Sequence, residues 1–190
     1  MKHNHNHKER KEKSIWSFVA LPDYFSMASI ASSLIAIELA FQHHYGTACL
    51  LLVLSAILDG MDGIVARFIN RRGRFGAELD SIADVVAFGV APAFFAFSLG
   101  LDRPLDAALL ILFVLASALR LARFNVLKVR GHVFVGLPTT ANGVIVPLLY
   151  FILKFNHANW FWTQTTFLFW FAFSTILMIS IVRVPKPHIG

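Results

Sequence analysis

Charge is what this 190-residue chain has least of: 15% of its residues are charged and 57% are apolar, where soluble domains carry about 25% charged residues. A soluble fold of this size is excluded, because the apolar surface, 19 Phe included, has nowhere to hide in so small a domain. Cysteine is scarcer still. Cys49 stands alone, so there is no internal disulfide, and Gly46 holds the place where a lipoprotein signal wants Leu. Cys49 therefore reads as a packing residue. Ten-residue stretches of alternating hydrophobicity, the mark of a closed β-barrel, are missing. So are solenoid and inverted-transporter repeats. No small-residue cleavage site follows the charged N-terminus, so the first apolar segment is expected to be retained. With a mean hydropathy of +0.65, the chain's solvent is lipid.

A span takes about 20 apolar residues, and such segments recur at 24–41, 47–69, 76–99, 104–127, 138–155 and 159–182. Breakers separate them: His43-His44-Tyr45-Gly46, Arg71-Arg72-Gly73-Arg74, Gly100 to Pro104, Lys128 to Gly136, and Asn156-His157-Ala158-Asn159. The pattern predicts an all-α integral membrane bundle of six transmembrane helices. Residues 1–23 are expected to form a basic tail and an interfacial lead-in with Trp16 and Phe18, Tyr24 lying just beyond, residues 24–182 the six-helix membrane domain, and residues 183–190 a C-terminal tail. Lys and Arg number 5 in residues 1–13, 4 in 67–74, 4 in 120–130 and 2 at the C-terminus, against Arg103 and Lys154 alone on the other side. The positive-inside rule then puts both termini in the cytoplasm. That topology accounts for the basic balance, so no nucleic-acid partner is implied. The tail's charge favours anionic lipid heads, and its His3, His5 and His7 read as a solvated polar run or, less readily, a chelating one.

Four acids break the apolar pattern. Asp59, Asp62, Asp80 and Asp84 lie in or near the ends of the second and third segments, where an unpaired charge costs at least about 2.5–3.5 kcal/mol. Spacings of three and four put each pair on one helical face, and the antiparallel course of the two helices lets the pairs meet. Four carboxylates at contact distance need counter-charge, and hard oxygen ligands select Mg2+, Mn2+ or Ca2+. A two-metal site is expected. The alternative is an ion network with Arg67, Arg71, Arg72 and Arg74, but Arg can snorkel to water and the short Asp cannot. Gly60, Gly63, Ala66 and Gly76 surround the acids, leaving room for a ligand or for close helix packing. Ala83, Ala87 and Ala91 form a further small-residue stripe, suited to packing within the chain or between two chains. Intramembrane acids also mark ion pathways, yet a cation transporter or channel wants them to continue outward, where only Glu38 and Asp106 occur.

The run Asp59-x2-Asp62-Gly63-x2-Ala66-Arg67-x8-Gly76-x3-Asp80-x3-Asp84 resembles the signature of the CDP-alcohol phosphotransferase family at all eight positions. Within that family, Asp80-Ser-Ile-Ala-Asp-Val-Val-Ala-Phe-Gly-Val-Ala-Pro92, Arg120-Leu-Ala-Arg-Phe-Asn125 and Gly136-Leu-Pro-Thr-Thr-Ala141 are similar to the bacterial phosphatidylserine synthase branch. Ala87 and Thr140 depart from it, where Ser and Pro are frequent. The resemblance implies transfer of a phosphatidyl group from CDP-diacylglycerol to the hydroxyl of L-serine, releasing CMP in a bacterial cell membrane. A sibling reaction would use glycerol 3-phosphate or an inositol phosphate as acceptor. It implies metal ligation by Asp59, Asp62, Asp80 and Asp84, with Mg2+ or Mn2+, two ions, as cofactor and Asp84 also as the catalytic base. Donor binding would fall to Asp62, Gly63, Ala66, Arg67 and Gly76. Arg120, Arg123, Asn125, Thr139 and Asn142 are candidates for acceptor or phosphate contacts, and a homodimer among membrane lipids is the family's habit.

Overall fold

The computed structural model describes residues 19–69, 74–127, 133–135, 138–180 and 183–185. The His-bearing tail, Trp16, Phe18, Arg71 and Arg72 lie outside them.

Helix α1 (Leu21–Phe41) opens with Pro22, whose missing N–H costs nothing in a first turn. Asp23 closes that turn by accepting from the Ala20 N–H at 2.7 Å. The inward face of α1 is serine and alanine: Ser26, Ser29, Ser32, Ser33, Ala36 and Ala40 are buried, whereas Leu34 and Ile35 are exposed. This inversion suits lipid, where small residues allow close helix approach and large apolar ones meet acyl chains. Helix α2 (Tyr45–Phe68) follows a tight turn in which His43 takes a φ of 64°. Ser29 Oγ donates to Ser55 O and Ser32 Oγ to Leu51 O, each at 2.9 Å, tying α1 to α2.

The third span is not one regular helix. It runs as α3 (Arg74–Asp84), a π-helical turn at Val85–Val90, and α4 (Ala91–Ser98). The wide turn precedes Pro92, whose ring would clash with the carbonyl four residues back in a regular helix. Here too the backbone approaches a neighbour closely, for a Cβ on Gly89 would stand 2.9 Å from Ser117 Oγ. Ala83, Ala87 and Ala91 are all buried within the chain, so that stripe serves intramolecular packing.

Helix α5 (Pro104–Leu127) packs on α7 (Trp160–Ile179), and α6 (Thr140–Phe155) on α2. Among the described residues five helical segments are long and apolar enough to cross a membrane. Helix α6, with 16 residues and Pro147 inside it, reaches about 24 Å, short of a hydrocarbon core about 30 Å thick. The chain is an integral membrane helical bundle. It also holds a short antiparallel ladder where the sequence suggested connecting segments: β1 (Val133–Val135) pairs with β2 (Arg183–Pro185), Phe134 opposite Val184. That ladder joins the α5–α6 connection to the chain after α7. The core is aromatic, centred on Phe88, Phe95, Phe113, Phe167 and Phe171. Phe113 and Phe171 meet edge to face at 4.7 Å.

Helices α2 and α3 make little direct backbone contact with each other, and both lean on α1. A cleft is left between them at the end of the bundle where α1 begins.

Candidate active site

The cleft collects the acids from both walls. Asp59 and Asp62 come from the last turns of α2, Asp80 and Asp84 from α3. Asp59, Asp62 and Asp80 each present a carboxylate oxygen within 4.8 Å of the others. Oxygens bound to one cation lie at most about 5.2 Å apart around Ca2+ and about 4.2 Å around Mg2+, so a triplet within 4.8 Å is close enough to gather around a single divalent ion with little or no inward movement. Asp84 stands outside this triplet but beside Asp59, close enough to interact electrostatically with all three. Among the described residues, no donor group reaches the buried Asp59 Oδ1 or Asp84 Oδ1. Orphaned buried carboxylate oxygens are costly, and a cation among them removes that cost. The donor set fits a divalent metal.

The surrounding small residues divide by what occupies their space. Among the described residues a Cβ on Gly60 would meet nothing within 4 Å, whereas one on Gly76 would fall 2.6 Å from Asp23 Oδ1. Gly76 therefore admits the buried Asp23 side chain, which is close packing. Ala66 is buried, Gly63 partly so. Arg67 is exposed, and its Nε donates to the Gly63 carbonyl of its own helix at 3.1 Å.

Across the cleft, α5 brings Arg120 into the field of Asp84, with Arg123 close by. Arg120 Nη1 donates to the buried Thr139 Oγ1 over a long 3.4 Å, and its buried Nε has no partner among the described residues. The Arg120 guanidinium thus lies in the field of the Asp84 carboxylate with one of its nitrogens unpartnered among the described residues. Asn125 is exposed, donating to Ser81 Oγ at 2.9 Å. Asn142 is fully buried away from that group: its Oδ1 accepts from Trp170 Nε1 at 3.2 Å and Ser174 Oγ at 3.1 Å, and its Nδ2 donates to Thr139 O at 3.3 Å. It ties α6 to α7 and supports Thr139.

Two residues of α1 join the site without having been singled out in the sequence. Asp23 packs on Gly76, and Ser26 Oγ donates to Asp62 Oδ2 at 2.6 Å. The available signal was the serine spacing, Ser26-x2-Ser29-x2-Ser32, inside an otherwise apolar helix.

A family model described as CDP-alcohol phosphatidyltransferase matches residues 19–178, which takes in both walls of the cleft and Arg120. The chain belongs to that family. Among similar members, a CDP-diacylglycerol–serine O-phosphatidyltransferase of Mycobacterium tuberculosis (H37Rv) is 38% identical over 178 residues, covering 88% of this chain and 62% of its own. One of the same name from Helicobacter pylori (26695) is 39% identical over 169 residues, covering 87% and 71%. An archaetidylserine synthase of Methanothermobacter thermautotrophicus is 36% identical over 178 residues, covering 92% and 73%. The chain thus spans less than two thirds of the mycobacterial relative. All eight signature residues lie on α2 and α3.

Proposed function

We propose that this protein transfers a phosphatidyl group from CDP-diacylglycerol to the hydroxyl of L-serine, giving phosphatidylserine and CMP. The observation that carries the reading is the meeting of Asp59, Asp62 and Asp80 within 4.8 Å beside the orphaned Asp84 oxygen and the underused Arg120. Relatives whose printed names specify serine transfer support the acceptor.

Asp59, Asp62, Asp80 and Asp84 would hold two hard cations, Mg2+ or Mn2+. Bound there, the ions would supply charge neutralisation for the donor's diphosphate and for departing CMP. Asp84, the carboxylate farthest along α3, takes the proton from the serine hydroxyl as its oxygen forms the new bond to phosphorus and the bond from phosphorus to the CMP oxygen breaks. Arg120, steadied by Thr139, holds the acceptor carboxylate, with Arg123 adding positive potential and Asn125 at the rim. Arg67, exposed at the mouth, pairs with a donor phosphate, while the bare backbone around Gly63 and Ala66 admits the nucleotide. Acyl chains stay in lipid and the nucleotide reaches water, which matches a cleft at one end of the bundle. That end faces the cytoplasm of a bacterial cell in this reading, with Arg67, Arg120 and Arg123 near it, and the protein works as a homodimer through a face other than the buried alanine stripe.

The test is CMP release by purified protein across an acceptor panel. Serine should support release with Mg2+ or Mn2+. Release with glycerol 3-phosphate or an inositol phosphate and none with serine would reassign the acceptor while leaving the chemistry intact.

A further inference from the structure

Helix α1 carries no signature residue, yet it is the element against which both walls of the cleft rest. Its serines are spaced by three, and three of them donate across to α2: Ser26 to Asp62 Oδ2 at 2.6 Å, Ser29 to Ser55 O at 2.9 Å and Ser32 to Leu51 O at 2.9 Å. The outer two bonds end on backbone carbonyls and set helix register. The first ends on a carboxylate of the acid triplet.

A serine hydroxyl inside a helix commonly turns back to a carbonyl of its own helix, as Ser33 does toward Ile30 O at 2.8 Å. Ser26 spends its proton on Asp62 instead. Both residues are buried, with 2% and 6% of their surface exposed, so water cannot stand in for either partner. A short O–H···O⁻ bond of this kind is among the stronger and more directional ones. It pins one carboxylate oxygen and thereby sets where the other points.

We propose that Ser26 is a positioning residue for the cation site, orienting the Asp62 carboxylate from α1 so that it meets Asp59 and Asp80 across the cleft. The proposal rests on the metal-site reading above and is independent of which acceptor is used. Partners that orient ligating groups change metal affinity by about 10–100-fold when removed.

The experiment is Mn2+ titration of the full-length protein in detergent without substrate, reading free Mn2+ by electron paramagnetic resonance, alongside thermal unfolding. Ser26→Ala should weaken Mn2+ binding by about tenfold or more, and raise the Mn2+ needed for half-maximal turnover while leaving turnover at saturating Mn2+ little changed. Ser29→Ala removes a similar buried bond that ends on a backbone carbonyl, so it should lower unfolding temperature comparably and leave Mn2+ affinity within about twofold of wild type. Ser26→Thr keeps the hydroxyl and should restore binding. A folded Ser26→Ala protein with wild-type affinity, or equal weakening by Ser26→Ala and Ser29→Ala, overturns the proposal. A wild-type protein that binds no Mn2+ removes the metal site and this role together, whereas silence in the serine assay with intact Mn2+ binding touches the acceptor alone.

Discussion

The two ends of the bundle handle buried polar groups in opposite ways. At the end where α1 finishes, Tyr45 OH donates to Ser98 O at 2.9 Å and Gln164 Nε2 to Gly100 O at 2.8 Å. Tyr45, Phe95 and Tyr150 close that end with edge and tilted ring contacts at 5.6–6.1 Å. At the other end, Asp59 Oδ1, Asp84 Oδ1 and Arg120 Nε are buried and have no hydrogen-bond donor or acceptor opposite them among the described residues. A folded protein leaves such atoms unsatisfied where something else completes them. One end is finished by the chain itself, and in the proposed function bound cations and substrate finish the other.

Five substitutions would break or sharpen that contrast. The largest effect belongs to Asp80→Asn, which takes charge from the triplet: loss of several kcal/mol of transition-state stabilisation is about a thousandfold in CMP release. Chelation of divalent metal from the wild-type protein should do the same. Undiminished turnover in Asp80→Asn would take Asp80 out of the site. Asp84→Asn should cut transfer by about a hundredfold or more while Mn2+ and CDP-diacylglycerol still bind, as equilibrium titration would show. Loss of donor binding would recast Asp84 as a binding residue.

The glycines compare the two ends directly. Gly76→Ala forces a methyl against Asp23 Oδ1 and should cost about 1–3 kcal/mol of stability, with activity falling as α3 shifts. Asp23→Ala in the same chain should recover part of that loss, and a strictly additive pair would mean that the contact does not govern Gly76. Gly100 has a φ of 91°, and a Cβ there would meet Gln164 Nε2 at 2.6 Å. Gly100→Ala should cost about 1–2 kcal/mol, seen as a lower unfolding temperature, with turnover of the folded fraction unchanged. A drop in turnover would show that the far end is coupled to the cleft.

Much of this was legible in the sequence because lipid makes its rules coarse. Long apolar runs must become helices, since no water satisfies their backbone, and acids inside such runs need a reason. Asp59, Asp62, Asp80 and Asp84 announced both walls of the cleft through spacing alone. The serine face of α1 was harder to see, because a hydroxyl's value depends on what stands opposite it. Asn142 shows the same difficulty: a weaker candidate for an acceptor contact, it bonds Thr139 O nearby and Trp170 and Ser174 on a helix distant in sequence, and the distant partners are invisible in residue order. The β1–β2 ladder pairs short segments nearly fifty residues apart, a distance at which local pattern carries no information about partners.

Helix number, burial of the acids in apolar segments and their pairing on helical faces follow from the order of residues, because hydrophobic periodicity and the cost of charge in lipid act along the chain. Which oxygens come within one ion's reach, that Gly76 makes room for Asp23, that Pro92 follows a widened turn, and that α1 supports both walls were decided by packing. Those properties belong to contacts between residues far apart in sequence, and only the folded chain specifies them.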